Sequence, residues 1–546
     1  MRIDPQLTSR HWTRVVAICA ALFWSGIACE KPAAEQKPPA PPRRELPNIL
    51  LISIDSLRPD HLGCYGHARP TSPRIDRLAA EGAVFENVIS STSWTLPAHA
   101  ALFTGLFDSV HGCVDTTKPL ADNRTTLAER LKAAGYATAG FFSGPYLHPV
   151  FGLGQGFDEY VDCTAYADLN TNEARETGKL DSDTVFDAAT EDVTNPRLCE
   201  RVTAWLRRPP ARPFFLFIHM WDVHYDFIPP SPYDKQFDPD YTGWVNGRNV
   251  LHDLRIVETM PRRDLEHLIA LYDGEIAWTD EHVGHILDVL DEKGLHDKTL
   301  VILTADHGTE FFEHRLKTHR QTVYDEVIRI PLIVRYPGRV APGGRFAEQT
   351  RIIDVLPTAL DLAGLGAPED VMGQSLAPLL AGGKLKQDPL AIAELLCDGR
   401  RLLPDGKWAP KNPNYTLQQQ LRAFRRPEWK LLLDLNERRS LAFDLKADPG
   451  EQRPLPEIPR QILEESRRAA DRLKNYRDAM PPPGMPGVIP PEVLRKLRSV
   501  GYLGDDAEDE EHDETIPQSP ATQPASAPTT APASAPTTRP DESPKP

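Results

Sequence analysis

NILLISIDSLRPDHLGCYG, residues 48–66, combines a short apolar run typical of a fully buried strand with an acidic residue, Asp55, at its end. Between such runs lie helical patterns, and several of them close with glycine, as helix C-termini do. Runs of this kind alternating with amphipathic helices predict an α/β fold with a mostly parallel sheet flanked by helices on both faces. The other strand-like runs are PFFLFIHMWD (213–222), TLVILTAD (299–306) and IPLIVRYP (330–337), and the helical patterns include SPRIDRLAAEG (72–82), TTLAERLKAAG (125–135) and DEHVGHILDVLDEKG (280–294).

Three of the predicted strands end in an acidic residue: Asp55, Asp222 and Asp306. The carboxyl ends of parallel strands meet at one edge of a sheet, and ligands of open α/β sheets bind there. An aspartate in this position can instead cap the following helix. Because three such residues occur together, we predict a binding site at this edge.

Asp55, Asp306 and the adjacent His307 offer the mixed oxygen and nitrogen donors that suit a divalent cation. We expect one ion of Zn, Mn or Ca, with room for a second. A bound metal lowers the pKa of a coordinated hydroxyl and clamps an anionic ester oxygen. The sequence therefore predicts a metal-assisted hydrolase.

Thr95 lies in SWTLPAHAALFTG, where Pro97 and the apolar run after it predict the start of a helix. A hydroxyl beside a helix N-terminus lies next to free amide groups that attract phosphate or sulfate oxygens. Threonine also caps helices without any catalytic role. Taken with the metal motifs, Thr95 is predicted to be both a metal ligand and the nucleophile.

The N-terminal segment predicts export. Basic residues precede the apolar run 15–24, which is too short to span a bilayer and is followed by small residues ending at Cys29. The order resembles a bacterial lipobox, so we expect residues 1–29 to be a signal segment with lipid attachment at Cys29, in the periplasm or at the cell surface. An ordinary secretory signal or an uncleaved anchor is the alternative. Residues 30–47 are rich in proline and predict a tether to the membrane.

Composition limits the remaining functions. Residues 505–546 are acidic and then rich in Pro, Ala, Thr and Ser, which predicts a disordered tail. The formal net charge of −16 argues against nucleic acid as a partner, because such binding depends on cationic contacts. The scattered cysteines match no metal-cluster spacing and define no disulfide pairing.

The motifs together resemble those of the sulfatases, and they occur in the order of that family. The resemblance implies an alkaline phosphatase-like catalytic domain at 48–385 and a small C-terminal α+β subdomain at 386–504, the latter on a weaker similarity at 429–452. The matching motifs are GCYG (63–66), TSPRIDRLAAEG (71–82), LFTG (102–105), TTLAERLKAAGYATA (125–139), YDGEIAWTDEHVGHIL (272–287), TADHG (304–308), EVIRIPLIVRYPGR (326–339), DVLPTALDLAGL (354–365) and GQSLAPLL (373–380).

The chain departs from the sulfatase pattern at the nucleophile. Sulfatases oxidise a Cys or Ser to formylglycine, but Thr95 would give a ketone instead of the aldehyde, which excludes that mechanism. The family's arginine is replaced by His99, and its second N-terminal aspartate by Ser56. The set Asp55, Thr95, Asp306 and His307 is instead similar to the one-metal set of lipoteichoic acid synthases and lipid A phosphoethanolamine transferases, in which Thr attacks phosphorus. Nucleotide pyrophosphatases also use Thr and add a second metal.

The resemblance implies further site residues. His224, His319 and Lys317 are expected to act with Thr95 in catalysis, and His99 and Asp222 to contact substrate; Asp222, His224 and His319 are also the candidates for a second ion. The predicted substrate is an anionic ester, a phosphorylated or sulfated glycan, lipid or small molecule, with phosphoryl esters favoured. A sulfuric ester hydrolase that works without formylglycine and a catalytically silent anchored binding protein are the alternatives.

Overall fold

The computed structural model describes residues 46–115, 118–164, 194–251, 253–386, 389–397, 419–435 and 438–482. The predicted signal segment with Cys29, nearly all of the tether and the whole acidic tail lie outside these residues. Among the helices that the structure describes, none is both long and apolar enough to cross a membrane.

The strands of the described residues, numbered in chain order, are β1 Asn48–Ile54, β2 Ala83–Ile89, β3 Ala137–Phe142, β4 Glu159–Asp162, β5 Phe214–Met220, β6 Thr299–Ala305, β7 Glu310–Phe311, β8 Lys317–Thr318, β9 Arg329–Arg335, β10 Gly344–Arg351, β11 Ala391–Cys397, β12 Gln419–Arg425, β13 Trp429–Asp434 and β14 Arg439–Asp444. Eight of them form the main sheet, in the order β10, β2, β9, β6, β1, β5, β3, β4. Strands β6, β1, β5, β3 and β4 are parallel neighbours, whereas β9 runs antiparallel to both β6 and β2. The mostly parallel α/β fold is therefore confirmed.

The reversal at β9 follows from its connection to β6. The link between these adjacent strands holds only the small hairpin of β7 and β8 and one short helix. A parallel return to a neighbouring strand needs a full crossover, usually a long helix. The chain instead turns back and pairs antiparallel.

The helices confirm the predicted amphipathic patterns. Segments 72–82 and 125–135 form α1 and α4, and 280–294 forms the second half of a much longer helix, α7. The helices are α1 Pro73–Glu81, α2 Thr95–Thr104, α3 Asp108–His111, α4 Leu127–Ala133, α5 Asn195–Arg207, α6 Tyr233–Gln236, α7 Arg262–Glu292, α8 Asp325–Ile328, α9 Val355–Leu362, α10 Ala377–Leu380 and α11 Arg460–Ala479.

The register of the central strands sets the position of the site. On one side of β1, Ile54 pairs with Ala305 of β6, so the residues that follow, Asp55 and Asp306, leave the sheet side by side. On the other side, Ser53 pairs with His219 of β5. The strand interiors are fully buried, since apolar side chains of β1, β5 and β6 are covered on both faces of the sheet.

A second, antiparallel sheet is formed by β11 to β14, which agrees with the predicted C-terminal subdomain. Lys430 of β13 is fully buried, and its ammonium group contacts Asp325 at 3.1 Å and Glu451 at 2.9 Å. Asp325 also pairs with Arg425 of β12 at 2.7 Å. These buried ion pairs tie the second sheet to α8, directly after the loop that carries His319.

Candidate active site

Four predicted residues meet at the carboxyl edge of β1 and β6. The Oγ1 atom of Thr95 lies 3.2 Å from Oδ2 of Asp55 and 3.3 Å from Nε2 of His307. His307 Nε2 in turn lies 3.4 Å from Oδ2 of Asp306 and 3.7 Å from Oδ1 of Asp55. The structure therefore brings together the whole predicted metal set.

The donor set fits a divalent cation. Protein oxygen and nitrogen ligands bind zinc at about 2.0–2.1 Å, which places neighbouring ligands of a tetrahedron about 3.3–3.4 Å apart. The observed separations of 3.2 to 3.7 Å match that spacing. Oδ2 of Asp306 is buried without a hydrogen-bond partner, and such an atom normally requires a compensating group. Asp55, Thr95, Asp306 and His307 would thus hold one ion.

Local contacts orient the two ligands that follow β6. Oδ1 of Asp306 accepts hydrogen bonds from the amides of Ser56 and His307, which leaves Oδ2 facing the site. Nδ1 of His307 donates to the carbonyl of Gly308 at 2.8 Å, so Nε2 is the free lone pair. A side chain at Gly308 would place its Cβ 2.1 Å from the carbonyl oxygen of Glu326, which explains why the TADHG motif ends in glycine.

Thr95 is the first residue of α2, not the residue that caps it. Pro97 is accordingly the third helical residue, where the sequence predicted the first. Trp94 occupies the capping position and gives no side-chain hydrogen bond. Because Pro97 has no amide hydrogen and the Ala98 amide bonds to the Trp94 carbonyl, the amides left for an anionic oxygen are those of Thr95 and Leu96. The Thr95 hydroxyl and this helix N-terminus could therefore contact the same anionic ester group.

His99 holds Thr95 from within the core. Its Nδ1 donates to the Thr95 carbonyl at 2.8 Å, and its Nε2 accepts from the Ser53 hydroxyl at 3.0 Å. The ring is fully buried against Phe103 and Phe217. This geometry gives His99 a positioning role, in place of the substrate contact expected from the sequence.

Asp55 and Asp306 place two carboxyl groups together in a buried site, and a cation there would balance their negative charge. Burial and the nearby Asp55 carboxylate raise the pKa of Asp306 well above its usual value. Burial lowers the pKa of His307 despite the attraction of Asp55, so the ring is neutral at pH 7. Neutral imidazole and carboxylate are the ligand forms that metals bind.

His224 and His319 lie at the opening of this site. The ring of His319 is 4.3 Å from that of His307 and 4.9 Å from that of His224, and both outer histidines are only partly buried. Burial lowers the pKa of His224 to about 4 and that of His319 well below its usual value. Two neutral imidazoles are therefore available to a bound ester.

Arg320 and three aromatic rings lie close to the two outer histidines. The guanidinium group of Arg320 lies 4.1 Å from the ring centroid of Trp94 and donates to the Tyr146 hydroxyl at 3.1 Å. The ring of Tyr225 is 5.3 Å from that of His319. Arg320 was not predicted from the sequence; its position directly after His319 was the available signal.

Three residues with left-handed backbone flank the site. Ser56, Thr318 and Arg320 have φ values of 57°, 67° and 66°. Non-glycine residues in this region carry strain, and such strain concentrates at functional sites. The strained positions follow Asp55 and bracket His319.

Two predicted residues have other partners. Asp222 accepts hydrogen bonds from both amides at the start of α5, Thr194 and Asn195, and from the indole of Trp278. It therefore caps a helix, but this is α5, which precedes Asp222 in the chain, and not the following helix that its strand-end position suggested. Lys317 donates to the carbonyls of Asp253 and Ile256 at 3.2 and 2.8 Å, so it anchors a neighbouring loop.

His219 lies at the site but was not predicted from the sequence. It is fully buried in β5, and its Nε2 lies 3.4 Å from Oδ2 of Asp55. The apolar residues around it in FFLFIHMW (214–221) predict a buried strand and give no sign of a functional histidine. The available signal was its place near the carboxyl end of the strand beside β1.

Comparisons with known proteins identify relatives of the chain and of its fold. The delta 4,5-hexuronate-2-O-sulfatase of Bacteroides thetaiotaomicron is 25% identical over 462 residues, 78% of this chain and 89% of the relative. The multifunctional alkaline phosphatase superfamily protein PehA of Trinickia caryophylli is 27% identical over 401 residues, 62% of this chain and 77% of the relative. The structure of a phosphonate monoester hydrolase of Agrobacterium radiobacter superposes with a TM-score of 0.63 at 23% identity, over 79% of this chain and 95% of the other, and shows the shared alkaline phosphatase-like fold.

A family model described as Sulfatase matches residues 47–365, more than half of the chain. The match spans the main sheet and every residue of the site described above. The chain belongs to the sulfatase family.

Proposed function

We propose that the protein is a metal-dependent ester hydrolase that uses Thr95 as its nucleophile and acts on phosphoryl esters. The observation that carries the proposal is the position of the Thr95 hydroxyl, 3.2 Å from Asp55 and 3.3 Å from His307, at an uncapped helix N-terminus. A bound divalent cation supplies a lowered hydroxyl pKa and neutralises an ester oxygen. The substrate class is an anionic ester of a glycan, lipid or small molecule.

The chain's own groups account for the two half-reactions. Oγ1 of Thr95 attacks phosphorus as the bond to the leaving oxygen breaks; the hydroxyl proton, directed at Asp55 in the resting site, is released, and solvent protonates the leaving group. Water then cleaves the phosphothreonine, which returns the hydroxyl and frees phosphate. The first-turn amides of α2 hold a non-bridging oxygen, and charge stabilisation of this kind dominates phosphoryl transfer.

His224 and His319 contact the ester in this proposal. Because Nδ1 of His224 donates to the carbonyl of Tyr225, its Nε2 is an acceptor and can orient the attacking water. His319 has a buried Nδ1 without a hydrogen-bond partner, which is available to an ester oxygen. His99 acts only through Thr95, and we assign Asp222 and Lys317 to the support of neighbouring segments.

Sulfate ester hydrolysis is the second candidate. It is favoured by the family and by relatives whose names describe sulfatases. Thr95 at the nucleophile position cannot become formylglycine, which argues for phosphorus, because phosphate and sulfate esters otherwise share a tetrahedral geometry.

The decisive experiment compares wild type with Thr95→Val and Thr95→Ser on an aryl phosphate, an aryl phosphodiester and an aryl sulfate, each with added Zn, Mn or Ca. We expect Thr95→Val to lose turnover by at least about 10⁴-fold, as removal of a catalytic nucleophile does elsewhere, and Thr95→Ser to keep part of it. In a second experiment, turnover of a ³²P-labelled phosphate ester or a ³⁵S-labelled sulfate ester is stopped by acid. We expect the peptide that contains residue 95 to retain ³²P.

Thr104→Val is the matched control, because its hydroxyl lies in the same helix and bonds only back to the Ala100 carbonyl. Trapped ³⁵S in place of ³²P would favour the sulfatase. Full activity of Thr95→Val would exclude the nucleophile, and no turnover of any ester together with no bound metal would leave the silent binding protein.

We further propose export and lipid attachment at Cys29, with residues 30–47 as the tether to the membrane and a periplasmic or surface location. The basic, apolar and small-residue order of the N-terminal segment supports this. Mass spectrometry of the mature N-terminus from membranes should find a diacylated or triacylated Cys29. An unmodified N-terminus at any other residue contradicts it.

A further inference from the structure

We propose that His219 is a metal ligand and that its Nε2, together with Oδ2 of Asp55 and Oδ2 of Asp306, forms a second divalent-cation position beside the Thr95 site. The inference deepens the proposed function and rests on the first ion being present. It differs from the second-ion candidates suggested by the sequence, Asp222, His224 and His319.

His219 is fixed in the orientation of a metal-binding histidine. Its Nδ1 donates to the carbonyl of Ser143 at 2.6 Å, because a carbonyl can only accept, so Nε2 is the ring nitrogen left to bind a cation. Metal-bound histidines typically donate their other ring nitrogen to a carbonyl or carboxylate. His307 has this same arrangement with the carbonyl of Gly308.

The free nitrogen faces other acceptors. Nε2 of His219 lies 3.4 Å from Oδ2 of Asp55, and it has no hydrogen-bond partner. Oδ2 of Asp306 is likewise without a partner, and both residues are fully buried. The first ion would satisfy Oδ2 of Asp306, whereas Nε2 of His219 would stay unpaired. A second cation between this nitrogen and the two carboxylates would satisfy it.

The surrounding donors allow two ions. Two groups of potential ligands share Asp306: one with Asp55 and His307, the other with His219 and His99, and within each group the donor atoms lie within 4.8 Å of one another. Nδ1 of His99 is already committed to the Thr95 carbonyl, so the second group is reduced to His219 and Asp306 with the facing oxygen of Asp55. Mixed imidazole and carboxylate ligation suits Zn or Mn.

The test is crystallographic and analytical, and it uses the full chain. Crystals grown with Mn²⁺ should give two anomalous peaks about 3.5–4 Å apart, as in two-metal sites, one within bonding distance of Oγ1 of Thr95 and one of Nε2 of His219. Elemental analysis should find two Mn per chain in wild type and one in His219→Phe. His282→Phe, which removes a histidine of the long helix α7, should keep both.

The outcomes are distinguishable. A single peak at Thr95 with none at His219, or equal metal content in wild type and His219→Phe, overturns the second position and leaves the proposed function intact. No bound metal in wild type contradicts both. If His219→Phe fails to fold, the wild-type anomalous map alone decides.

Discussion

Replacing His99 by phenylalanine tests whether the hydrogen bond from His99 to the Thr95 carbonyl is needed to position the Thr95 hydroxyl. The change keeps an aromatic ring among Phe103 and Phe217 and removes the hydrogen bonds to Thr95 and Ser53. Each such bond contributes about 0.5–1.5 kcal/mol, so the free energy of unfolding should fall by about 1–3 kcal/mol. Urea titration with the metal chelated gives this value free of ligand stabilisation.

The kinetic consequence separates positioning from substrate contact. If His99 only positions the nucleophile, kcat should fall by about tenfold to a hundredfold, as small misplacements of reacting groups cost, and KM should change less than twofold. His282→Phe is the matched control, because its Nδ1 contacts the carbonyl four residues earlier, Trp278, at 2.9 Å. An unchanged kcat with a raised KM would refute the reasoning and restore the substrate contact for His99.

Three further changes have defined outcomes. Asp306→Asn removes one of two facing carboxylates, so the Tm in chelator should rise or stay level while the Tm increase on adding Mn or Zn disappears; scanning calorimetry measures both. Burial raises the pKa of Asp280 to about 7. The folded state therefore retains a proton that the unfolded state releases, and the free energy of unfolding should decrease as the pH rises from about 4 to 7. Urea midpoints measured across this range should fall less in Asp280→Asn than in wild type. Lys430→Met leaves the buried carboxylate of Glu451 without its cation, while Asp325 keeps Arg425, and should lower the free energy of unfolding by about 3–5 kcal/mol; a loss below about 1 kcal/mol would contradict that account.

The sequence was most informative where chemistry and local pattern coincide. Asp55, Asp306 and His307 end uninterrupted strand runs, and Thr95 begins a helix, so neighbouring residues sufficed to predict their placement. Their convergence could be predicted because parallel strands share a carboxyl edge.

Other positions depended on distant partners. Asp222 ends a strand as Asp55 does, but a helix start 28 residues earlier in the chain occupies its oxygens. His219 is hidden among apolar residues, and only the pairing of β1 with β5 shows that it faces Asp55. The reversal of β9 follows from its position directly beside β6 without a crossover helix between them, and strand patterns do not report which strands are neighbours.

The register of β1 has a consequence for folding. The amide of Ser56 donates to Asp306, 250 residues later in the sequence. On the other side of β1, Asp55 contacts His219, which lies in β5. The ligand set at Thr95 needs the closure between β1 and β6, and the position proposed at His219 needs the closure between β1 and β5 as well; closure over such separations is slow. Metal uptake during refolding should therefore lag behind helix formation, and a metal-responsive fluorophore would time the moment at which the central three strands join.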